Sequence, residues 1–166
     1  MSETNLWAAW TLRSHDALST AAAAVVPAGL GQRDLAALTL IASHDGCSAD
    51  WLWNRIGLTQ SGTVRLIDRL EKLAYVVRTR HGRTLALSLT PSGQQLLDDW
   101  QQARDEAGRS VLDVLTPDEQ QRLDELLTVA LRRTERARAA ADSTCRLCDW
   151  RTCSPCPVDE SVSESP

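Results

Sequence analysis

Four of the five cysteines of this chain lie within twelve residues near its C-terminus. They form two Cys-x-x-Cys pairs and are Cys145, Cys148, Cys153 and Cys156. Thiolates at this spacing are typical ligands of zinc and of iron–sulfur clusters. In a reducing compartment, clustered thiols indicate metal or redox chemistry more often than a structural disulfide. The sequence therefore predicts a single four-thiolate metal site in this segment.

The spacing between the two cysteine pairs bears on which metal the site holds. Only four residues separate Cys148 from Cys153, whereas structural zinc sites commonly have a dozen or more between the pairs. A proline after the last cysteine, here Pro157, also occurs in ferredoxin-type ligation. The pattern favours an iron–sulfur cluster, either 2Fe–2S or 4Fe–4S, with zinc and a metal-free thiol switch as the alternatives. We expect Arg146 and Arg151 to offset the thiolate charge and Trp150 to shield the site from water.

The remaining residues with chemical potential form no second site. Cys47 stands alone and is interpreted as a small buried apolar residue. His15, His44 and His81 share no spacing typical of metal ligands. The sequence shows no nucleophile with a matching base, no phosphate-binding glycine loop and no recognisable pair of catalytic carboxylates. We therefore expect no enzymatic activity.

The elements that must position the cysteine site are mostly helical. Apolar residues recur every three to four positions over residues 5–26 and 32–43, which predicts two amphipathic helices. A short third helix is expected from Ser48 to Ile56, with Ser48 as its N-cap and Gly57 at its left-handed C-cap.

Residues 58–73 predict a fourth helix, capped by Thr59. Val64, Ile67, Leu70 and Leu73 are expected to form its buried stripe. The opposite face is polar and consists of Gln60, Ser61, Thr63, Arg65, Arg69 and Lys72. Such a face is often an ordinary solvated surface, so its meaning depends on the elements that follow.

Those elements are two segments of alternating apolar and polar residues, 75–80 and 84–89, joined by His81 and Gly82, which predicts a β-hairpin. Two short helices, a polar-faced helix and this hairpin are the pattern of a winged helix-turn-helix. In that fold the second helix of the turn enters the DNA major groove, and the wing contacts the flanking backbone or minor groove. The candidate DNA contacts are Thr59, Gln60, Ser61, Thr63, Arg65, Arg69, Arg78, Arg80 and Arg83.

The charge distribution supports a nucleic-acid partner. The whole chain has a net charge of −4, but the segment from Arg55 to Arg83 contains seven Lys or Arg against Asp68 and Glu71. This local excess of positive charge in an otherwise acidic chain is typical of a directed DNA-binding surface.

Two further helices are predicted, at about 91–115 and from Pro117, where Thr116 and Glu119 form a capping box. Their apolar stripes need a partner surface, so we expect a homodimer. At 166 residues, the chain is expected to be mainly α with a small β-hairpin wing. It divides into an N-terminal dimerisation helix (1–30), a winged helix-turn-helix (31–90), C-terminal dimerisation helices (91–141), a Cys-rich metal-binding segment (142–158) and a disordered acidic tail (159–166).

The ordered series of residues 58–78, Arg83 and 89–93 resembles the MarR family of regulators. The resemblance implies a dimer, binding to a near-palindromic operator in double-stranded DNA, and usually repression relieved by a ligand or by oxidation. It places Arg83 in the minor groove, although His81 stands where the family commonly has Asp. Ala74 stands where the family usually has Gly. A subset of MarR-like proteins ends in a similar four-cysteine motif.

Together these patterns predict a transcriptional regulator whose iron–sulfur site senses redox state or iron. Repression is the expected direction of regulation. Since the site follows the last dimerisation helix, we expect it to act on the spacing of the two recognition helices. One alternative is a repressor that responds to a small aromatic ligand and holds a structural zinc. Trp7, Trp10 and Trp51 would then line the ligand pocket, although core packing is the favoured interpretation of these three residues. Another is a small electron-transfer protein. The N-terminus resembles no leader and no segment is long enough to span a membrane, so a cytoplasmic protein is expected.

Overall fold

The computed structural model describes residues 2–82 and 84–163. The elements follow in the order α1 (Glu3–Val25), α2 (Gln32–Ser43), α3 (Ala49–Ile56), α4 (Gln60–Lys72), β1 (Val76–His81), β2 (Thr84–Leu89), α5 (Pro91–Leu112), α6 (Pro117–Arg132) and α7 (Arg138–Thr144). This confirms the predicted mainly helical chain with one antiparallel hairpin. The described helices include none with the length and apolar character of a membrane span.

Local capping explains where the central helices begin and end. The Thr59 side chain accepts a hydrogen bond from the Gly62 amide at 3.1 Å, and the Ser48 side chain accepts one from the Trp51 amide at 3.1 Å. Each bond satisfies an amide that has no partner within the first turn of its helix. Gly57 ends α3 in the left-handed conformation with φ 68°. All three caps are as predicted.

The wing is fastened to the loop before α3. In the hairpin, Val76 is opposite Leu89 and His81 is opposite Thr84, so β1 includes His81, which was expected in the connection. The Leu87 amide donates to the Cys47 carbonyl at 2.8 Å. The wing therefore has a fixed position relative to α2 and α3.

Two groups of buried residues make up the core. The larger joins α2, α3, α4 and the wing, with Leu38, Leu52 and Ile67 fully buried. The smaller joins α1, α2 and α5 around Leu35 and Trp100. Because α2 contributes to both, the winged helix-turn-helix and the long helices form one packed unit.

The buried side of α4 differs from the prediction. Val64 and Leu73, which were expected in the core, are 41% and 46% exposed. Thr63, which was expected on the DNA-facing side, is fully buried, and its hydroxyl donates to the Thr59 carbonyl at 3.1 Å. This bond lets a threonine occupy the core without an unsatisfied hydroxyl. Thr63 is therefore removed from the candidate DNA contacts.

The C-terminal region folds back onto the winged helix-turn-helix. Helix α7, which was not expected as a separate element, packs against α3. Residues 159–163 were expected to be disordered, yet Ser161 is buried and its carbonyl accepts a hydrogen bond from the Arg136 amide at 3.1 Å. The described part of the tail is thus packed, because backbone hydrogen bonds and the buried Val158 hold it in place.

Candidate DNA-binding face and cysteine site

The outer face of α4 presents exposed polar side chains near its N-terminus, directly after the N-cap Thr59. Gln60, Ser61 and Arg65 are exposed, and the Arg65 guanidinium makes a long hydrogen bond, 3.3 Å, to the Ser61 carbonyl. The exposed Val64 lies beside them. This face can offer both hydrogen-bond donors and an apolar contact to base edges in a major groove.

Two of the predicted arginine contacts are already engaged in ion pairs. Arg69 pairs with Asp34, whose buried carboxylate also accepts from the Gly31 amide at 2.9 Å. Arg78 pairs with Glu71 and with Asp68, the latter at 2.6 Å. Arg78 thus connects the wing to α4 through ion pairs.

Arg80, in β1 of the wing, is the remaining predicted arginine contact that the structure describes. Arg80 is exposed, and its Nε donates to the Gly82 carbonyl at 3.3 Å. Arg83, the predicted minor-groove contact, lies outside the described residues.

A groove of about 630 Å³ between the start of α2 and α4 is lined by Arg33, Arg65 and Arg69, among others. These positive charges lie on the same side of the molecule as the exposed face of α4.

All four clustered cysteines line one cavity of about 440 Å³, together with Trp150 and Arg138. Cys148 and Cys153 are exposed, and Cys145 and Cys156 are half-buried. The fold therefore brings together the thiols that the spacing predicted to act together. Within residues 2–82 and 84–163, no three His, Cys, Asp or Glu side chains already stand in a metal-ligating arrangement.

Interactions among the thiols shift their proton affinities. Hydrogen bonding to Cys148, burial, and interaction with Cys156 raise the pKa of Cys145. The hydrogen bond from Cys145 lowers the pKa of Cys148 to about 7. Burial is the main cause that raises the pKa of Cys153 to about 11. Such mutual interaction requires the thiols to be close neighbours.

Cys47 is separate from this cluster. It packs partly buried against the larger core and is absent from the cysteine cavity. Burial raises the pKa of the Cys47 thiol to about 11, so it is a poor nucleophile at neutral pH. This agrees with its interpretation as an apolar core residue.

The cysteine segment is anchored by contacts that the sequence patterns did not predict. Arg55 of α3 pairs with Asp142 of α7 at 2.6 Å, and the two side chains are 12% and 1% exposed. The Trp150 indole donates to the Cys145 carbonyl at 2.8 Å and meets the ring of His44 edge-on at 5.2 Å. Because Arg55 and Asp142 are 87 residues apart, no local pattern could have paired them.

The charged neighbours of the cysteines also differ in role from the expectation. Arg151 donates to Gln101 at 2.5 Å and to Asp149 at 3.1 Å, and Arg104 donates to the Leu147 carbonyl at 2.9 Å. Arg146 donates to the Ser143 carbonyl. These arginines hold the loop against α5 and close the turn after α7. Arg138 is the arginine that lines the cavity.

The three tryptophans expected around one ligand pocket lie apart. Trp7 is 70% exposed, and Trp10 lines an apolar cavity of about 220 Å³ between α1, α5 and α6. Trp51 stacks 4.3 Å from His44 instead. The alternative of a single ligand pocket lined by all three tryptophans is therefore wrong.

Four cysteine side chains around one cavity fit a thiolate-ligated metal. Zinc and iron–sulfur clusters both accept such a donor set. Trp150 at the cavity wall provides apolar cover, while Arg138 is paired with Asp142 and Asp159, and Asp159 also lines the cavity.

The succession of α3, α4 and a hairpin wing, flanked by long helices, defines a winged helix-turn-helix protein. Residues 28–84 match the model of the MarR family. Proteins described as uncharacterized HTH-type transcriptional regulators of Bacillus cereus and Bacillus anthracis are 34% identical over 86 residues, which cover 51% of this chain and 58% of theirs. The chain thus matches less than two thirds of the length of these relatives.

Solved structures of MarR-family proteins share the fold. The oxidized form of MarR from E. coli superposes with a TM-score of 0.64 and 19% identity, covering 79% of this chain and 95% of that one. A Mycobacterium tuberculosis MarR-family protein in complex with DNA superposes with a TM-score of 0.63 and 19% identity, covering 76% of this chain and 95% of that one. The complex of the same protein with salicylic acid superposes with a TM-score of 0.58 and 22% identity, covering 76% of this chain and 94% of that one. The family model and these structures support the predicted MarR-family winged-helix fold.

Proposed function

We propose that this protein is a homodimeric transcriptional regulator that binds double-stranded DNA through α4 and the wing. The observation that carries the proposal is the exposed face of α4, where Gln60, Ser61 and Arg65 project from a helix whose other side is buried in the core. An α-helix fits the major groove, which is about 12 Å wide. The DNA complex of the M. tuberculosis neighbour is consistent with this use of the fold.

Arg65 provides the direct test of DNA binding. A duplex is first selected from random double-stranded DNA by the wild-type protein, and affinity is then measured by fluorescence anisotropy at several salt concentrations. We expect Arg65→Ala to weaken binding by about 1–3 kcal/mol if the residue contacts a base, or to reduce the salt dependence if it contacts a phosphate.

Arg109 is the matched control, because it is an exposed arginine of α5 whose Nε donates to the Asp105 carbonyl at 3.3 Å, as Arg65 does to the Ser61 carbonyl. Arg109→Ala should leave both affinity and salt dependence unchanged. If Arg65→Ala behaves like Arg109→Ala, α4 is not the DNA-binding helix. A wild-type protein that selects no DNA would favour the electron-transfer alternative.

We further propose that the four-cysteine site holds an iron–sulfur cluster and makes DNA binding sensitive to redox state or iron. The support is that all four thiols line one cavity and that the two pairs are closely spaced. A bound cluster would supply a reduction potential that depends on the charge and solvent exposure around it. Cys145, Cys148, Cys153 and Cys156 would hold the metal, and Trp150 at the cavity wall would limit water access.

Metal analysis of protein purified without oxygen tests this assignment. We expect a coloured protein with stoichiometric iron and acid-labile sulfide, and loss or destabilisation of the colour on Cys148→Ser. Cys47→Ser is the control and should retain the colour, because Cys47 lies outside the cavity. A colourless protein with one zinc per chain would instead support the structural-zinc alternative, in which a small aromatic ligand acts as the effector.

A further inference from the structure

We infer that, within each chain, the state of the cysteine site reaches the recognition helix α4 through α7 and α3, with the Arg55–Asp142 ion pair as the connecting contact. This inference rests on the proposed function, since it specifies how the cysteine site regulates DNA binding. It differs from transmission through the dimerisation helix α6, which the order of the segments along the chain had suggested.

The first step runs from the cavity wall to α3. Arg138 lines the cysteine cavity, and its Nε donates to Asp142 at 3.0 Å. The other carboxylate oxygen of Asp142 accepts from Arg55 at 2.6 Å. One buried carboxylate thus joins a side chain of the cysteine cavity to a side chain of α3. A displacement of either arginine would leave a buried charge poorly paired, so the two are expected to move together.

A second contact connects the cysteine loop with the same face of α3. Arg55 also donates to the Trp51 carbonyl at 3.0 Å, and its guanidinium lies 4.0 Å above the Trp51 ring. That ring stacks on His44, which in turn contacts Trp150 of the cysteine loop. Trp150 is itself bonded to the Cys145 carbonyl. The backbone of a predicted metal ligand is therefore joined to α3 through contiguous aromatic packing.

The last step runs from α3 to α4. Leu52 and Ile56 of α3 are buried in the same cluster as Leu66 and Ile67 of α4. At the start of α4, the Gln60 side chain donates to Asp50 of α3 at 3.2 Å. Because core side chains are closely packed, a shift of α3 must be accommodated by α4. Gln60 belongs to the proposed DNA-binding face, so such a shift would alter that face directly.

The ion pair between the tail and α6 is weaker by comparison. Arg132 of α6 pairs with Glu160 at 2.6 Å, but the side chains are 50% and 41% exposed. Solvent screens an exposed pair, which contributes little to the position of the elements it joins. The two ion pairs therefore offer matched sites for separating a path through α3 from a path through α6.

The experiment measures how strongly Cys148→Ser affects α4 in four backgrounds. These are the wild type, the double variant Arg55→Met/Asp142→Leu, the single variant Asp142→Asn and the control Arg132→Gln. The double variant removes both charges together, so that neither remains buried without its partner. Asp142→Asn serves as a second disconnecting variant that keeps the size of the side chain. Circular dichroism verifies that each protein is folded.

The first readout is amide hydrogen exchange of α3 and α4 by mass spectrometry, which needs no DNA and is made on each protein as purified without oxygen. We expect Cys148→Ser to increase exchange in both helices in the wild type and in Arg132→Gln. In the double variant and in Asp142→Asn, we expect no change in α4. If Cys148→Ser leaves α4 unchanged in the wild type, or changes it equally in every background, the inference is overturned.

The second readout is affinity for the selected duplex. We expect Cys148→Ser to change it by about 5- to 150-fold in the wild type and in Arg132→Gln, and by less than about 2-fold when the Arg55–Asp142 pair is absent. Loss of coupling in Arg132→Gln alone would transfer the path to α6. Failure of the proposed function is recognised separately, as a wild-type protein that selects no DNA or retains no metal.

Discussion

Ala74 adopts a left-handed backbone conformation, with φ 59°, in the turn between α4 and β1. The turn is held by hydrogen bonds from the Ala74 amide to Glu71 and from the Tyr75 amide to Leu70. An L-residue in this conformation costs about 1–2 kcal/mol, because its Cβ approaches the following carbonyl. Alanine at this position thus leaves the turn intact at an energetic cost.

We therefore predict that Ala74→Gly raises the free energy of unfolding, because it relieves the strain of the left-handed conformation. The greater backbone entropy of glycine in the unfolded chain reduces this gain, so the net increase is about 1 kcal/mol or less. Urea denaturation followed by circular dichroism measures the effect. The reverse change, Gly57→Ala at φ 68°, should lower stability by a similar amount. A lower stability of Ala74→Gly would show that this turn does not hold the left-handed conformation.

At the scale of the elements, the position of α5 depends on a close approach of two backbones. Gly93, in the first turn of α5, lies against the segment that joins α4 to the wing, and a Cβ at Gly93 would be 2.0 Å from the Tyr75 carbonyl oxygen. The Thr90 amide also donates to this carbonyl at 3.0 Å. The contact joins α5 to the base of the wing.

We predict that Gly93→Ala lowers the free energy of unfolding by about 1–3 kcal/mol or more, because backbone atoms must move to relieve the overlap. Gly108 lies in the same helix with open space around it. Gly108→Ala should therefore raise stability by about 0.5–1 kcal/mol, as expected for alanine in a helix. Equal effects of the two substitutions in urea denaturation would contradict the close approach.

At the scale of the whole molecule, the apolar surface left on α1 and α6 is the main feature that a single chain does not explain. On α1, Leu6, Trp7 and Leu12 are 53%, 70% and 63% exposed, and on α6, Leu126 and Leu127 are 54% and 49% exposed. Exposed apolar patches of this kind mark interaction surfaces. A second copy of the chain is the partner we propose, since two recognition helices are needed for a near-palindromic site.

We predict that Leu127→Glu shifts the protein from dimer to monomer, because it places a charge in the interface, and that affinity for the selected duplex falls with it. Light scattering coupled to size-exclusion chromatography measures the oligomeric state. Leu85→Glu is the control for the oligomeric state alone, because Leu85 is similarly exposed at 52% but lies on the wing. A dimer that persists in Leu127→Glu would place the interface elsewhere.

Local features of the fold were predictable from the sequence. The caps formed by Thr59, Ser48 and Gly57 depend on residues within three positions of one another. The hairpin follows from alternating side chains, and its pairing of Val76 with Leu89 lies close to the predicted strands. The four cysteines gather around one cavity because a segment of twelve residues cannot separate them far.

Tertiary structure decided which residues of each element are used. Whether Thr63 or Val64 enters the core depends on the rotation of α4 against α2 and α3, and both residues fit a helical stripe in the sequence alone. The pairing of Arg55 with Asp142 required α7 to return to α3 across 87 positions. The sequence by itself therefore determined the elements and the cysteine cluster, because these depend on short-range spacing. Their connection was decided only in the tertiary structure, because burial and charge pairing join residues that are distant along the chain.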